Sequence, residues 1–219
     1  MLAVTNQVNA VNLAKYQGMS MNTKEKILQA ARKEFVNRGF QNASMRNIAS
    51  EVGISAAALY KHYENKEMLF EAVVEPAVKA WDDFAVSETE RQTGNARENG
   101  LEAMWNNNEQ TRNMVDLVYG DFELQKLLFC ASEGTKYAGF LHEIVMKVQN
   151  ATLNFTDELR KQGIKVNDID QKEMHMLLSS QYSILLEMVR HNYTYEEAKK
   201  HTDTISEFYK VGWRYFLGF

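Results

Sequence analysis

Apolar positions along this chain recur at helical spacing almost throughout. Near the start, Ile27, Leu28, Ala31 and Phe35 fall at i, i+1, i+4 and i+8, which places four apolar groups on one face of a helix that should end at Gly39. A short second helix is signalled by Ser44 as N-cap, by Ile48, Ala49 and Val52 as its inner face, and by Gly53 as the stop. Ile54 fills the turn. Ser55 then caps a third helix whose inward residues are Leu59 and, one turn on, either His62 or Tyr63. Asn65 caps a fourth, which runs through Leu69, Phe70, Val73, Val74, Ala77, Val78 and Trp81, with Pro76 expected to bend it.

The pattern lapses over SETERQTGNARENG, residues 87–100, which predicts a loop or a frayed helix end. It resumes with Leu101, Met104, Trp105 and then Met114 to Tyr119. Asp121 caps a short helix ending near Cys130, and Thr135 is placed to cap a long one ending at Gly163. Two more helices close the chain, each opened by a capping box, Asp170 with Glu173 and Thr194 with Glu197. Their apolar stripes are wide: Met174, Leu177, Leu178, Tyr182, Leu185 and Met188 on the first, Ile205, Phe208, Tyr209, Gly212, Trp213 and Phe216 on the second. Such stripes exceed what a monomer surface tolerates uncovered.

Composition narrows the class to all-α: one proline and eleven glycines in 219 residues leave few places for turns. With 45% hydrophobic residues a core is well supplied. A lone cysteine, Cys130, cannot form an internal bridge, and nothing resembles a signal peptide, so the expected setting is the cytoplasm. No apolar run is long enough to span a bilayer. Net charge is −4, yet residues 22–70 hold eight Lys or Arg against five Glu, or +3, and Lys15 adds +1, so the remainder carries −8. A mildly basic head on an acidic body is compatible with nucleic-acid contact at one end.

Two short helices joined through a Gly-containing turn form the helix-turn-helix pattern, whose second helix enters the major groove. The whole run ILQAARKEFVNRGFQNASMRNIASEVGISAAALYKHYENKEMLF resembles the head of the tetracycline-repressor (TetR) family of bacterial transcriptional regulators. The matching points are Gly39-Phe40, Ile48-Ala49, Val52-Gly53, Leu59-Tyr60, His62-Tyr63, Lys66 and Leu69-Phe70. They cover about a fifth of the chain. The expected division is a flexible leader at 1–21, a helix-turn-helix domain at 22–66, and a helical ligand-binding and dimerisation domain at 67–219.

Residue chemistry suggests how such a head would meet DNA. Ser44 offers a hydroxyl at a helix N-terminus, and Arg46 and Asn47 project from the first turn after it. Tyr60, His62 and Lys66 match positions that the resemblance assigns to backbone clamping, with Lys61 beside them. Ala56 and Ala57 lead the third helix, where alanine can meet only a thymine methyl, so base discrimination should fall to Arg46, Tyr60 and Lys61. The resemblance further implies a body pocket, for which Trp105, Tyr119, Phe122, Phe129, Tyr137, Phe140, Met146 and Tyr182 are candidate lining, with Glu133 and His142 as polar groups. It also implies pairing of two copies through the last two helices, using Leu178, Leu185, Ile205, Phe208, Tyr209, Gly212, Trp213 and Phe216.

No enzymatic constellation competes. His62, His142, His175, His191 and His201 include no HExxH pair, Cys130 lacks a partner, and Gly134 and Gly139 build no phosphate loop, so neither catalytic residues nor a metal or cofactor are expected. The expected function is a homodimeric DNA-binding regulator, a repressor released from a palindromic double-stranded operator by a small apolar or aromatic effector. The alternative is a helical small-molecule-binding or interaction protein whose head no longer reads DNA.

Overall fold

The computed structural model describes residues 21–100, 102 and 109–218, apart from the side chains of Thr89, Thr93 and Arg97. Apart from Met21, the expected leader lies outside the described residues, as do Leu101, Met104 and Trp105. Two compact units are present, one comprising the chain to Arg38 with Asn42–Val73, the other Gly39–Gln41 with Val74–Phe219. The division therefore falls inside a helix, seven residues beyond the 66/67 boundary that the pattern suggests.

In the first unit, α1 (Thr23–Asn42), α2 (Met45–Val52), α3 (Ala56–His62) and the opening turns of α4 (Lys66–Asn99) enclose a small core. Ile27, Ala31, Phe35, Ile48, Leu59, Leu69 and Phe70 are buried, and the rings of Phe35 and Phe70 meet edge to face at 5.1 Å. Asn22 opens α1 by accepting from the Glu25 N–H at 3.0 Å while the Glu25 carboxylate accepts from the Asn22 N–H at 3.0 Å. Gly39 interrupts the same helix at φ 68°, ψ 168°, a backbone that a side chain would oppose. Ser44 and Ser55 accept from the Asn47 and Ala58 N–H groups, and Gly53 at φ 75° closes α2. Of the two candidates for the inner side of α3, Tyr63 is the buried one and His62 is exposed.

The second unit holds the rest of α4 with α5 (Glu109–Gly120), α6 (Phe122–Cys130), a 3-10 turn (Lys136–Gly139), α7 (Phe140–Lys161), α8 (Gln171–Arg190) and α9 (Tyr195–Leu217). Helix α7 packs on α8, α5 on α9, and α6 on α8, around Met114, Val118, Leu127, Leu128, Val145, Met174 and Val189. The described residues contain no strand. None of their helices is long and apolar enough to cross a membrane.

Three expectations change here. Residues 87–99 are not a loop: α4 continues unbroken through exposed Pro76 to Asn99 and stops where Gly100 adopts φ 83°. Glu88 holds that extension. It is buried, bonds Arg91 at 2.8 Å and accepts from the Asn113 amide at 2.9 Å, while Arg91 reaches Glu109 at 3.0 Å. Against these contacts, an interior Gly94 costs only about 1 kcal/mol. Thr135 caps the 3-10 turn rather than α7 itself. Asp170 caps α8 by accepting from Lys172 and Glu173, without the reciprocal bond from Glu173 that a capping box needs, whereas Thr194 and Glu197 form a complete box at the start of α9.

That box makes a pH-dependent contribution. Hydrogen bonds from the Thr194 backbone N–H and hydroxyl hold the Glu197 carboxyl below its ordinary value of 4.5. The unfolded chain thus binds more protons than the folded one in this range, so the contribution is complete above pH 4.5 and is lost as pH falls through the lowered folded value. Thr194→Ala should cost about 1 kcal/mol at pH 7. Urea midpoints should separate variant and parent at neutral pH, and the gap should narrow in acid without closing, since the bond from the Glu197 backbone N–H to the Thr194 hydroxyl does not titrate.

Candidate DNA-binding face and body cavity

On the first unit, Arg46 and Asn47 on α2 and Ala57, Tyr60, Lys61 and His62 on α3 are all exposed, while Ser44, Ala56 and Lys66 are half-buried. This clusters the expected contact residues on two helices tied by the Ser44 and Ser55 caps. Several of them have structural work as well. Glu34 accepts from both the Ser44 N–H and the Asn47 amide at 3.1 Å, so one carboxylate fixes the start of α2 and turns Asn47 back toward α1. The Lys66 ammonium donates to the Ala43 carbonyl at 3.2 Å and braces the corner before α2. The Ser44 hydroxyl is already engaged by the Asn47 N–H at 3.4 Å.

Part of the head's cationic charge is already engaged within the head. Lys33 is paired with Glu51 at 2.7 Å and Arg38 with Glu34 at 3.3 Å. Among the described residues Arg46 on α2 and Lys61 on α3 have no ion pair, and Tyr60, next to Lys61 in sequence, is 48% exposed. A guanidinium and an ammonium group with an exposed phenol on two neighbouring helices can meet phosphate and base edges. Sequence reasoning missed Glu34, although an acid ten residues before an N-cap serine carries no local signature.

The second unit contains a cavity of about 230 Å³. Trp81, Phe84, Ala85 and Glu88 of α4, Ile144, Val148, Ala151 and Phe155 of α7, Leu178, Gln181 and Tyr182 of α8, and Ser206, Tyr209, Trp213 and Leu217 of α9 form most of its wall. Burial and the nearby Glu88 carboxylate push the Tyr182 phenol well above its ordinary value, so it stays neutral. Of the expected lining residues, Tyr182 alone is in this wall, and Trp105 lies outside the described residues.

The other expected residues have different neighbours. Tyr119 donates to the Tyr193 carbonyl at 2.7 Å and packs against Phe122 and Tyr195. Phe129 sits between Trp81 and Phe140, and Tyr137 meets Phe140 edge-on. Glu133 and Met146 are exposed, as is His142, whose ring lies 5.1 Å from that of His175. The cavity runs instead along one side of α4, where Trp81, Phe84 and Glu88 follow at i, i+3 and i+7; extending the helical reading past residue 87 exposes that stripe.

The residues expected at a copy-to-copy contact also divide. Leu178 and Leu185 are buried within the chain, and Tyr209 and Trp213 line the cavity, bonded to Ser180 at 3.1 Å and Gln181 at 2.7 Å. Ile205 and Phe216 are half-buried, Gly212 is exposed, and Phe208 is 73% exposed. Val211 and Tyr215, at 65% and 86%, continue the Phe208 stripe along the outer side of α9.

The family model described as "Bacterial regulatory proteins, tetR family" matches residues 27–73. The HTH-type transcriptional regulator UidR of Escherichia coli (strain K12) is 42% identical over 52 residues, 24% of this chain and 26% of that protein. The nucleoid occlusion factor SlmA of Shewanella baltica is 38% identical over 55 residues, 25% of this chain and 28% of its own. The matched stretch thus spans about a quarter of these curated relatives. Over 90% of this chain and 99% of its own, MexZ, described as a key repressor responsible for antibiotic resistance in Pseudomonas aeruginosa, shares the fold with a TM-score of 0.57 at 18% identity.

Glu34→Ala removes the acceptor shared by Ser44 and Asn47, and each lost hydrogen bond to a charged group is worth roughly 1.5–3 kcal/mol at most in a half-open setting. The expected result is a lower thermal midpoint and more rapid amide exchange across α2. Unchanged exchange at Asn47 and Ile48 would contradict the anchoring role.

Proposed function

We propose, from the premise that this chain belongs to the tetR family of bacterial regulatory proteins, that it is a homodimeric transcriptional repressor released from a palindromic operator by a small effector held in the body cavity. The observation that carries the reading is the exposed trio Arg46, Tyr60 and Lys61 on a capped helix-turn-helix. These three side chains supply what Ala56 and Ala57 lack, namely donors and a ring long enough to reach base edges and phosphate.

A single head of charge +3 with several cations already paired offers few contacts for counterion release, so useful affinity calls for two heads on one duplex. The outer stripe Phe208, Val211 and Tyr215, with exposed Met176 and Leu177 on α8, provides the apolar surface on which a second copy would pair. Effector binding acts only if the cavity prefers one spacing of the two heads over another, because equal affinity for both shifts nothing. Repression rather than activation follows the description of MexZ, whose fold the chain shares.

Fluorescence anisotropy with duplex from upstream of the chain's own gene, repeated across salt concentrations, tests the reading. Binding should be specific and should weaken steeply with salt. Lys61→Ala should reduce the slope of log affinity against log salt by about 1. Arg46→Ala should narrow the preference for operator over random duplex, by roughly 1–3 kcal/mol for a lost bidentate contact. Equal affinity for operator and random duplex at low salt would overturn the proposal.

A further inference from the structure

Much of the polar surface in the wall of the body cavity is engaged within the wall itself, and one buried hydroxyl that is not points to a ligand. Trp81 donates its indole N–H to Gln125 at 2.9 Å and Trp213 donates to Gln181 at 2.7 Å, so both indoles present carbon surface to the cavity. The Tyr209 hydroxyl is bonded to Ser180 at 3.1 Å, and Thr152 donates to the Val148 carbonyl at 2.9 Å. Charges are matched in the same way. Lys147 pairs with Asp82, Lys210 with Glu207, and buried Glu88 with Arg91 and Asn113.

Ser206 stands apart. It lines the cavity, is 91% buried by the 9% exposure that remains, and its Oγ has no hydrogen-bond partner among the described residues. Serine and threonine in a helix ordinarily fall back on the carbonyl one turn earlier. Ser183 does so at 2.7 Å to Ser179, and Thr202, on the same helix as Ser206, does so at 3.2 Å to Ala198. A buried hydroxyl left without a partner costs free energy that a bound group can recover.

We infer that the cavity takes an uncharged aromatic or alicyclic molecule bearing one hydrogen-bonding group, a hydroxyl or carbonyl, seated against Ser206 Oγ, with its apolar body between Trp81, Phe84 and Trp213. An anion or cation is disfavoured because every described charge in the wall already has its counter-charge, so a charged ligand would be desolvated without compensation. The volume of about 230 Å³ lies below the roughly 300–1,000 Å³ of drug-sized sites, which restricts the body to about one substituted ring. This inference rests on the reading of the cavity as the effector site.

Isothermal titration of the full chain with four probes on one skeleton tests it: ethylbenzene, 4-ethylphenol, 4-ethylbenzoate and 4-ethylbenzylamine. The phenol should bind at least tenfold tighter than the carboxylate and the ammonium. Ser206→Ala should weaken the phenol about tenfold and leave ethylbenzene unchanged, with circular dichroism matching the parent. Lys147→Met, which leaves Asp82 without its partner, should raise affinity for the ammonium probe. Tightest binding by either charged probe, an unchanged phenol affinity in Ser206→Ala, or binding by none of the four would overturn the inference. Operator anisotropy on the same preparations keeps the two questions apart: intact DNA binding without probe binding sinks only the ligand class, and probe binding without DNA binding sinks only the regulator.

Discussion

Helix α9 has to satisfy two apolar demands at once. Tyr209 and Trp213 face the cavity, and Phe208, Val211 and Tyr215 face outward, on residues that alternate along one 23-residue helix. A helix apolar on two sides is stable in water only if both sides are covered. Its inner side is covered by α5 and by the cavity wall, and its ends are fixed, the first by the Thr194 and Glu197 box, the last by Asn167, whose amide donates to the Tyr215 and Phe216 carbonyls at 3.2 Å. Arg214 adds a two-pronged bond to Glu102 at 2.8 Å. The outer side is left to solvent within the chain, so the cavity wall and the exposed apolar stripe share one backbone.

The head imposes the complementary constraint. Its small core is closed by Phe35 and Phe70, and its reading elements are held by caps and by Glu34 rather than by bulk. The front of α3 carries alanines, which offer no hydrogen-bonding side chain. Charge is scarce, and part of it is used internally, in Lys33 with Glu51 and in Lys66 with the Ala43 carbonyl. Helix α4 contributes Leu69, Phe70 and Val73 to this core and Trp81, Phe84 and Glu88 to the cavity wall, so one continuous helix takes part in both units.

Local features were legible in the sequence because their causes are local. Ser44, Ser55, Asp121 and Thr194 each act on a backbone group three residues away, and Gly39 and Gly53 declare themselves by needing positive φ. Long-range partners were not legible. The extension of α4 to Asn99 is accompanied by Glu88 meeting Asn113, 25 residues on, and Trp81 of the cavity wall is bonded to Gln125, 44 residues on. Periodicity identified the stripes of α8 and α9 but not what covers each residue: Leu178 and Leu185 are covered within the chain, whereas the unremarked Val211 and Tyr215 are the exposed ones. Spacing alone cannot separate those cases, since core and interface obey the same period.

The central claim is that the outer side of α9 joins two copies and that DNA binding depends on it. Sedimentation velocity on the parent and on a Phe208→Asp, Tyr215→Asp double variant, each with and without labelled operator, measures this directly. The account predicts a dimer for the parent, a folded monomer for the variant, and loss of specific operator binding together with the dimer. A variant that stays dimeric, or a monomer that binds operator as tightly as the parent, would contradict it.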